Sequence, residues 1–312
     1  MNLLLRTASQ IVNPLDSQRR FGFGSGVTGE AFVGALDAYT TSLAGAWSVS
    51  RRLLANYTGP LIRVRNDSGV ERDIYALGSG DLNTADLLSH CGSGNGTVRW
   101  VYSQTGSGID FGMATAAAQP IIVTSGSLET VNGKPTMRVT GLQFLESAFA
   151  GGSAAAMTVY SSGATAANAA GMSFARYLSF GQTGQNDFVS VNRWLPFVRN
   201  GSDPNYTNYF NGASTAPASG ALANNTNFVV ATRIQASNPV RYLRINGGTA
   251  ATDNTAATPN MTFTLARWFR GISSSDGAEY WAGKGSELLA YTTAHSDPTV
   301  IQGVVNSHFG AY

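Results

Sequence analysis

The chain has one cysteine, two lysines, three histidines and little charge of either sign: only 12% of its 312 residues are Asp, Glu, Lys or Arg. A single cysteine excludes an intrachain disulfide framework, and Cys91 is expected to be a small core residue. His90, His295 and His308 lack metal-site spacing, and the adjacent His90 and Cys91 form no recognised nucleophile motif, so no metal and no cofactor is expected. No stretch approaches the ~18 apolar residues of a membrane span. Leu3-Leu4-Leu5 is too short for the apolar part of an export signal, so synthesis in the cytoplasm without export is expected. Scarce charge also argues against long solvent-exposed helices.

Glycine, by contrast, occurs 36 times. With many Ala, Ser, Thr and Asn residues, this composition favours turns and short strands around one large β core. The 18 arginines balance 18 acids to a formal charge of +2 and are scattered along the chain, so no nucleic-acid partner is expected. Arginine in place of lysine suits planar, bidentate pairing at protein interfaces. Codon preference explains the same bias equally well.

Residues 1–35 read as an extension, because Pro14, Gly22, Gly24, Gly26 and Gly29 break any period. The expectation is an arm that anchors the chain to a partner or sister subunit; a strand and loop packed on its own domain is the alternative. Gly22-Phe23-Gly24-Ser25-Gly26 lacks the Lys-Ser/Thr of a phosphate loop and is read as part of this tail. From Ala35 to Asn56, Leu36, Tyr39, Leu43, Trp47, Leu53 and Leu54 fall near helical spacing, which predicts a helix. Leu61–Arg65 and Glu71–Ile74 alternate about an Asn66-Asp67-Ser68-Gly69 turn and predict a hairpin. Asn83–Leu88 predicts a short capped helix, and Gly96–Tyr102 a strand with Val98, Trp100 and Tyr102 on one face.

Further strands are predicted at 136–139, 156–160, 176–180, 227–232, 241–245, 262–265 and 281–291, with a surface loop at 164–170. His295-Ser296-Asp297-Pro298 then caps a final helix bearing Val300, Ile301, Val304, Val305 and Phe309. The fold class expected is all-β: a concanavalin-like two-sheet jelly-roll sandwich with a few short helices, one at the C-terminal end.

The segment Leu36-Asp37-Ala38-Tyr39 through Ala46-Trp47-Ser48, Arg51-Arg52-Leu53-Leu54 and Tyr57-Thr58-Gly59-Pro60-Leu61-Ile62-Arg63-Val64-Arg65 resembles the opening of the α-L-arabinofuranosidase B sandwich domain. Tyr102-Ser103-Gln104-Thr105-Gly106-Ser107-Gly108 is similar to that family's Tyr-Asp-Gln-Ser-Gly-x-Gly turn, with Ser103 in place of Asp. Asn132-Gly133-Lys134-Pro135 and the closing Gly-x-x-x-Glu-Leu-x-x-Tyr strand, ending at Tyr291, resemble laminin-G and concanavalin-like domains more generally. The resemblance spans residues 36–312. Similar domains occur in phage structural proteins, which likewise lack export signals and disulfides, and this implies a virion component.

The resemblance also places the catalytic positions. Retaining glycosidases need two carboxyl groups about 5 Å apart. The family's nucleophilic Glu ends a Tyr-Gly-Asn-Ala-Glu segment that Phe180-Gly181-Gln182-Thr183-Gly184 resembles, so Gly184 stands in its place. Asp187, three residues on, is too far displaced for the same geometry. Asp276 in the Gly271–Gly277 loop fits the family's acid/base position and is equally a turn residue before Gly277. The expectation is therefore a non-enzymatic virion subunit, a capsid decoration, head spike or tail-associated protein. It would be homo-oligomeric and bound to other virion proteins through residues 1–35, with host glycans as further partners. An active arabinofuranosidase using Asp276 is the alternative. Gln182, Asp187, Trp194, Trp268, Asp276 and Trp281 are the ligand-binding candidates. Tyr206, Tyr209 and Tyr280, with Arg193, Arg199 and Arg270, lie near them in sequence. A core or interface role is the competing reading of the aromatic residues.

Overall fold

The computed structural model describes residues 31–149, 153–166, 174–182, 193–200, 205–210, 218–254, 261–272 and 279–312. The chain divides into Met1–Phe32 and Val33–Tyr312, and the described residues lie in the second unit apart from Ala31 and Phe32.

Every strand pairing is antiparallel among the described residues. One sheet runs Ala251–Asp253, Arg241–Ile245, Asn227–Gln235, Ala156–Thr165, Ala282–Tyr291; the far edge of the last strand is shared by Leu43–Ser48 and Met137–Thr140. A larger sheet runs Glu71–Ile74, Ile62–Asn66, Gly96–Val101, Phe111–Gly112, Leu145–Ser147, Leu265–Trp268, Phe174–Gly181, Trp194–Asn200, Asn205–Phe210 and Ala218–Ala221. Ile121–Thr124 links the two by pairing with both Gly96–Val101 and Met137–Thr140. The predicted two-sheet sandwich is therefore present.

Aromatic rings fill the space between the sheets. Trp47 meets Phe111 edge-on at 5.0 Å, and Tyr177 packs against Phe228, Trp281 and Phe269 at 5.1 to 5.5 Å. Edge-to-face pairs of this kind gain quadrupolar attraction beyond the area they bury. A second apolar layer lies behind the smaller sheet, where Thr299–Phe309 lays Ile301, Val305 and Phe309 on Tyr160, Val229, Ala231 and Leu289. Ala282–Tyr291 is thus covered on both sides: Leu288 and Ala290 face the space between the sheets, Leu289 and Tyr291 the helix. Burial on both faces explains why its second half, Leu288–Tyr291, reads as a continuous apolar run rather than an alternation.

The helix predicted between Ala35 and Asn56 is replaced by a 3-10 turn at Asp37–Tyr39 and a strand at Leu43–Ser48. Its apolar residues do not serve one face: Leu36, Leu53 and Leu54 enter the layer under the C-terminal helix, while Trp47 enters the space between the sheets. Strand pairing with Glu287–Tyr291 overrides the local period. The hairpin, the helix Thr84–Cys91 with Asn83 accepting from the Asp86 amide, and the C-terminal helix are found as expected. Val300 is exposed, and Asp297 accepts from the Thr299 amide. Of the predicted 164–170 loop, Ala164 and Thr165 continue a strand, and 167–170 lie outside the described residues.

His308 joins the C-terminal helix to the sandwich through a 2.7 Å hydrogen bond between its Nε2 and Ser50 Oγ. Burial first, and the nearby Arg51 and Lys134 charges next, lower its pKa to about 3. His295, held by Tyr160 and lowered by burial and then Arg233, shifts the same way. A folded pKa below the unfolded one means that the unfolded chain takes up the proton first. The stability contributed by neutral His308 is complete above about pH 6.5 and drains as pH falls toward 3, at roughly 1.4 kcal/mol per pH unit. Denaturant titrations at pH 7, 6 and 5 are expected to show this loss, and His308→Gln to reduce its slope.

Candidate functional site

The tryptophans proposed from sequence for ligand binding are core residues. Trp194, Trp268 and Trp281 are at most 1% exposed. Trp194 stacks on Phe180 at 5.5 Å and donates to Asn208 Oδ1 at 2.6 Å, while Trp268 stacks on Phe269 at 5.2 Å. Trp194 and Trp268 point inward from their strands and Trp281 from the residue just before one, which a polar sequence neighbourhood does not reveal. Tyr206 is buried against Phe197 at 4.6 Å, and burial raises its phenol to about 12. Arg193 and Arg199 are also buried. Gln182 is half-buried and donates to the Thr262 carbonyl at 3.0 Å. Asp187, Asp276 and Gly184 lie outside the described residues, as does the glycine run at 22–26. Cys91 and His90 are buried as structural residues, His90 Nε2 lying 3.2 Å from the Val64 carbonyl. No cluster of three or more metal-ligating side chains exists among the described residues.

The Tyr102–Gly108 turn has a clear structural role. Gln104 is buried, its Oε1 accepting from the Leu53 amide at 2.6 Å and its Nε2 donating to the Arg51 carbonyl. Asp110 accepts from the Ser103 amide, and Trp47 Nε1 donates to the Ile109 carbonyl, both at 2.8 Å. These bonds fix the loop between Gly96–Val101 and Phe111–Gly112.

That loop borders an unforeseen surface feature. Through direct cross-strand pairing, Asp73, Arg63, Trp100, Gly112, Glu146, Arg267 and Ser179 form one row across seven strands of the larger sheet. With strands about 4.8 Å apart, the row is roughly 29 Å long. It lies on the face away from the core, since neighbours such as Val64, Val101, Phe111, Leu145 and Ala266 point inward; at its far end Ser179 is fully buried, its hydroxyl donating to the Arg270 carbonyl, so the accessible part runs from Asp73 to Arg267.

A β-bulge creates it. Arg63 opposes Trp100 and Val64 opposes Val98, so Arg99 is an extra residue. A bulge re-aims the side chains that follow it. Val98 and Val101 are therefore buried while Arg99 and Trp100 are partly exposed, correcting the expectation that Val98 and Trp100 share a face. The Trp100 ring lies over Gly112, where an added Cβ would come within 2.1 Å of it. The Arg99 guanidinium stands 4.7 Å from the ring centre. Trp100, Arg99, Asp110 and Glu146 line a cleft of about 540 Å3, within the size range of small-ligand sites.

Opposite charges are paired along the row. Arg63 makes two 2.7 Å bonds to Asp73, which also accepts from Tyr102 at 2.8 Å. The Arg63 bond chiefly holds the Asp73 carboxyl below its ordinary range. Glu146 accepts from Arg267 at 2.7 Å. Asp110 differs: burial raises its carboxyl above the ordinary value, opposed by the Ser103 amide. Beyond Arg267, Arg270 sits between Phe144 and Tyr280, at 4.7 and 4.8 Å from their ring centres. Of the residues grouped near the sequence-derived site, Tyr280 and Arg270 thus border this face.

Comparison with known proteins places the fold. No protein-family model matches the sequence, and no curated protein matches it. Among solved structures, the chain is similar to an arabinofuranosidase complexed with arabinofuranosyl-α-1,2-xylobiose at a TM-score of 0.63 and 14% identity. It covers 89% of this chain and 64% of that one. Two GH54 α-L-arabinofuranosidases, one soaked with a cyclic sulfate inhibitor and one a mutant soaked with 4-nitrophenyl α-L-arabinofuranoside, give TM-scores of 0.63 and 0.64 at 14% identity. Each match covers 89% of this chain and 65% of the other. The chain thus spans just under two thirds of those enzymes. At this identity the likeness establishes a glycosidase-like β-sandwich fold.

Proposed function

We propose that this chain is a non-hydrolytic structural subunit of a bacteriophage particle that uses the outer face of its larger sheet to bind neutral host-surface glycans. The row from Asp73 to Arg267 carries the glycan part of the reading. Sugar rings present C–H faces that pack on an indole, and hydroxyls that both donate and accept. Trp100 offers the first surface, and the Arg63–Asp73 and Arg267–Glu146 pairs offer donors and acceptors at fixed spacing. Their charges cancel, which suits an uncharged ligand. Gly184 in place of the family nucleophile supports a non-hydrolytic role, and the resemblance to phage domains supports the virion. Anchoring through residues 1–35 and homo-oligomeric assembly belong to the same proposal.

The second reading, a glycoside hydrolase, is favoured by the sandwich shared with arabinofuranosidases. One set of measurements separates them. On a glycan array, wild type is expected to bind neutral oligosaccharides and Trp100→Ala to lose about tenfold in affinity or more, with little change in thermal stability. With aryl arabinofuranosides no turnover is expected. Turnover abolished by Asp276→Asn would establish the hydrolase instead.

A further inference from the structure

At the other sheet lies a second cleft, of about 480 Å3, with different chemistry. Arg138 and Lys284 stand directly opposite each other on paired strands. Like charges in that position repel. Glu129 relieves the repulsion by accepting from Arg138 Nε at 2.7 Å and pairing with Lys284 Nζ at 3.2 Å. Burial tends to raise the Glu129 carboxyl, but its bonds to Arg138, Thr124 and Lys284 prevail and hold it below its ordinary range. Two cations thus share one carboxylate, leaving one positive charge in excess. Glu129 is also the most enclosed of the three, 14% exposed against 28% and 29% for the cations.

Alongside Val131, Val139 and threonines, the cleft wall facing these charges is small or amidic. Lys284 opposes Ala164, which in turn opposes Asn227. Gly283, at φ +144, forms part of the lining, and a Cβ there would lie 2.4 Å from the Ala164 carbonyl. Asn225, exposed in a turn at φ +56, stands with Asn227 on the rim. Amides can donate to and accept from hydroxyls, and the small floor admits a ring close to the backbone.

We infer that this cleft binds a saccharide bearing a single carboxylate, with Arg138 and Lys284 facing the acid and the asparagines facing hydroxyls. The site is independent of the larger sheet's outer face. It is tested by calorimetric titration of the full chain with cellobiouronic acid and with cellobiose. The acid is expected to bind about tenfold more tightly than the neutral sugar, with the difference shrinking at high salt. Lys284→Gln is expected to abolish that preference. Asn225→Asp, an exposed turn substitution, is expected to abolish it without lowering thermal stability, and Trp100→Ala to leave it intact. Equal affinity for both sugars, no binding of the acid, or a preference that survives Asn225→Asp would overturn the assignment. So would loss of acid binding in Trp100→Ala.

Discussion

Replacing Glu287 by glutamine is expected to destabilise the protein by about 3–5 kcal/mol, a larger loss than removal of any surface ion pair. Glu287 is fully buried in the strand that joins the smaller sheet, and Arg51 meets it with two 3.0 Å hydrogen bonds. Arg51 also donates to the Val304 carbonyl in the C-terminal helix. Glutamine keeps the shape but leaves a guanidinium, only 11% exposed, without its counter-charge. The buried pair need not be strongly stabilising in itself; breaking it is costly because one charge is stranded. Chemical denaturation of Glu287→Gln, Arg51→Met and the double variant measures this. The double variant is expected to recover part of the loss, giving a coupling of about 1–3 kcal/mol. Additive losses would show that the two side chains act separately.

Trp268→Ala is expected to cost about 3–5 kcal/mol, through lost burial and a cavity that stiff neighbouring rings cannot close. Trp268 is fully buried and packs against Phe111, Phe269 and Tyr177 at 5.2 to 6.3 Å. An exposed sugar platform at this position would give a loss well under 1 kcal/mol. Equilibrium unfolding therefore distinguishes a core tryptophan from a ligand-facing one. Trp268 shares its strand with Arg267 on the opposite face, so the proposed glycan binding is expected to weaken along with stability.

The strands were readable wherever a period of two met one clear turn, as at Ile62–Asn66 and Glu71–Ile74. The final helix was readable because Ile301, Val305 and Phe309 repeat every four residues. Local pattern failed at Leu43–Ser48, whose apolar neighbours divide between two layers. At the outer face of the larger sheet it fails for another reason. Arg63, Trp100, Glu146 and Arg267 are far apart in sequence and meet only through cross-strand register, which one extra residue at Arg99 resets. A lone indole beside Arg99 on a predicted strand is the available signal, and strict alternation places it on the same face as Val98. The buried tryptophans are flanked by polar residues in the sequence, but the fold turns all three inward.

The place of Ala282–Tyr291 bears on how the chain acquires its shape. Every strand it joins, Leu43–Ser48, Met137–Thr140 and Ala156–Thr165, precedes it in the sequence. On the ribosome, those strands emerge with a vacant slot between them that no earlier segment fills. At roughly 5–20 residues per second, the N-terminal portion waits many seconds for the strand that closes the sheet. Contacts of such long sequence separation make assembly slow, and the exposed edges flanking the slot are where a nascent chain would need shielding from its neighbours.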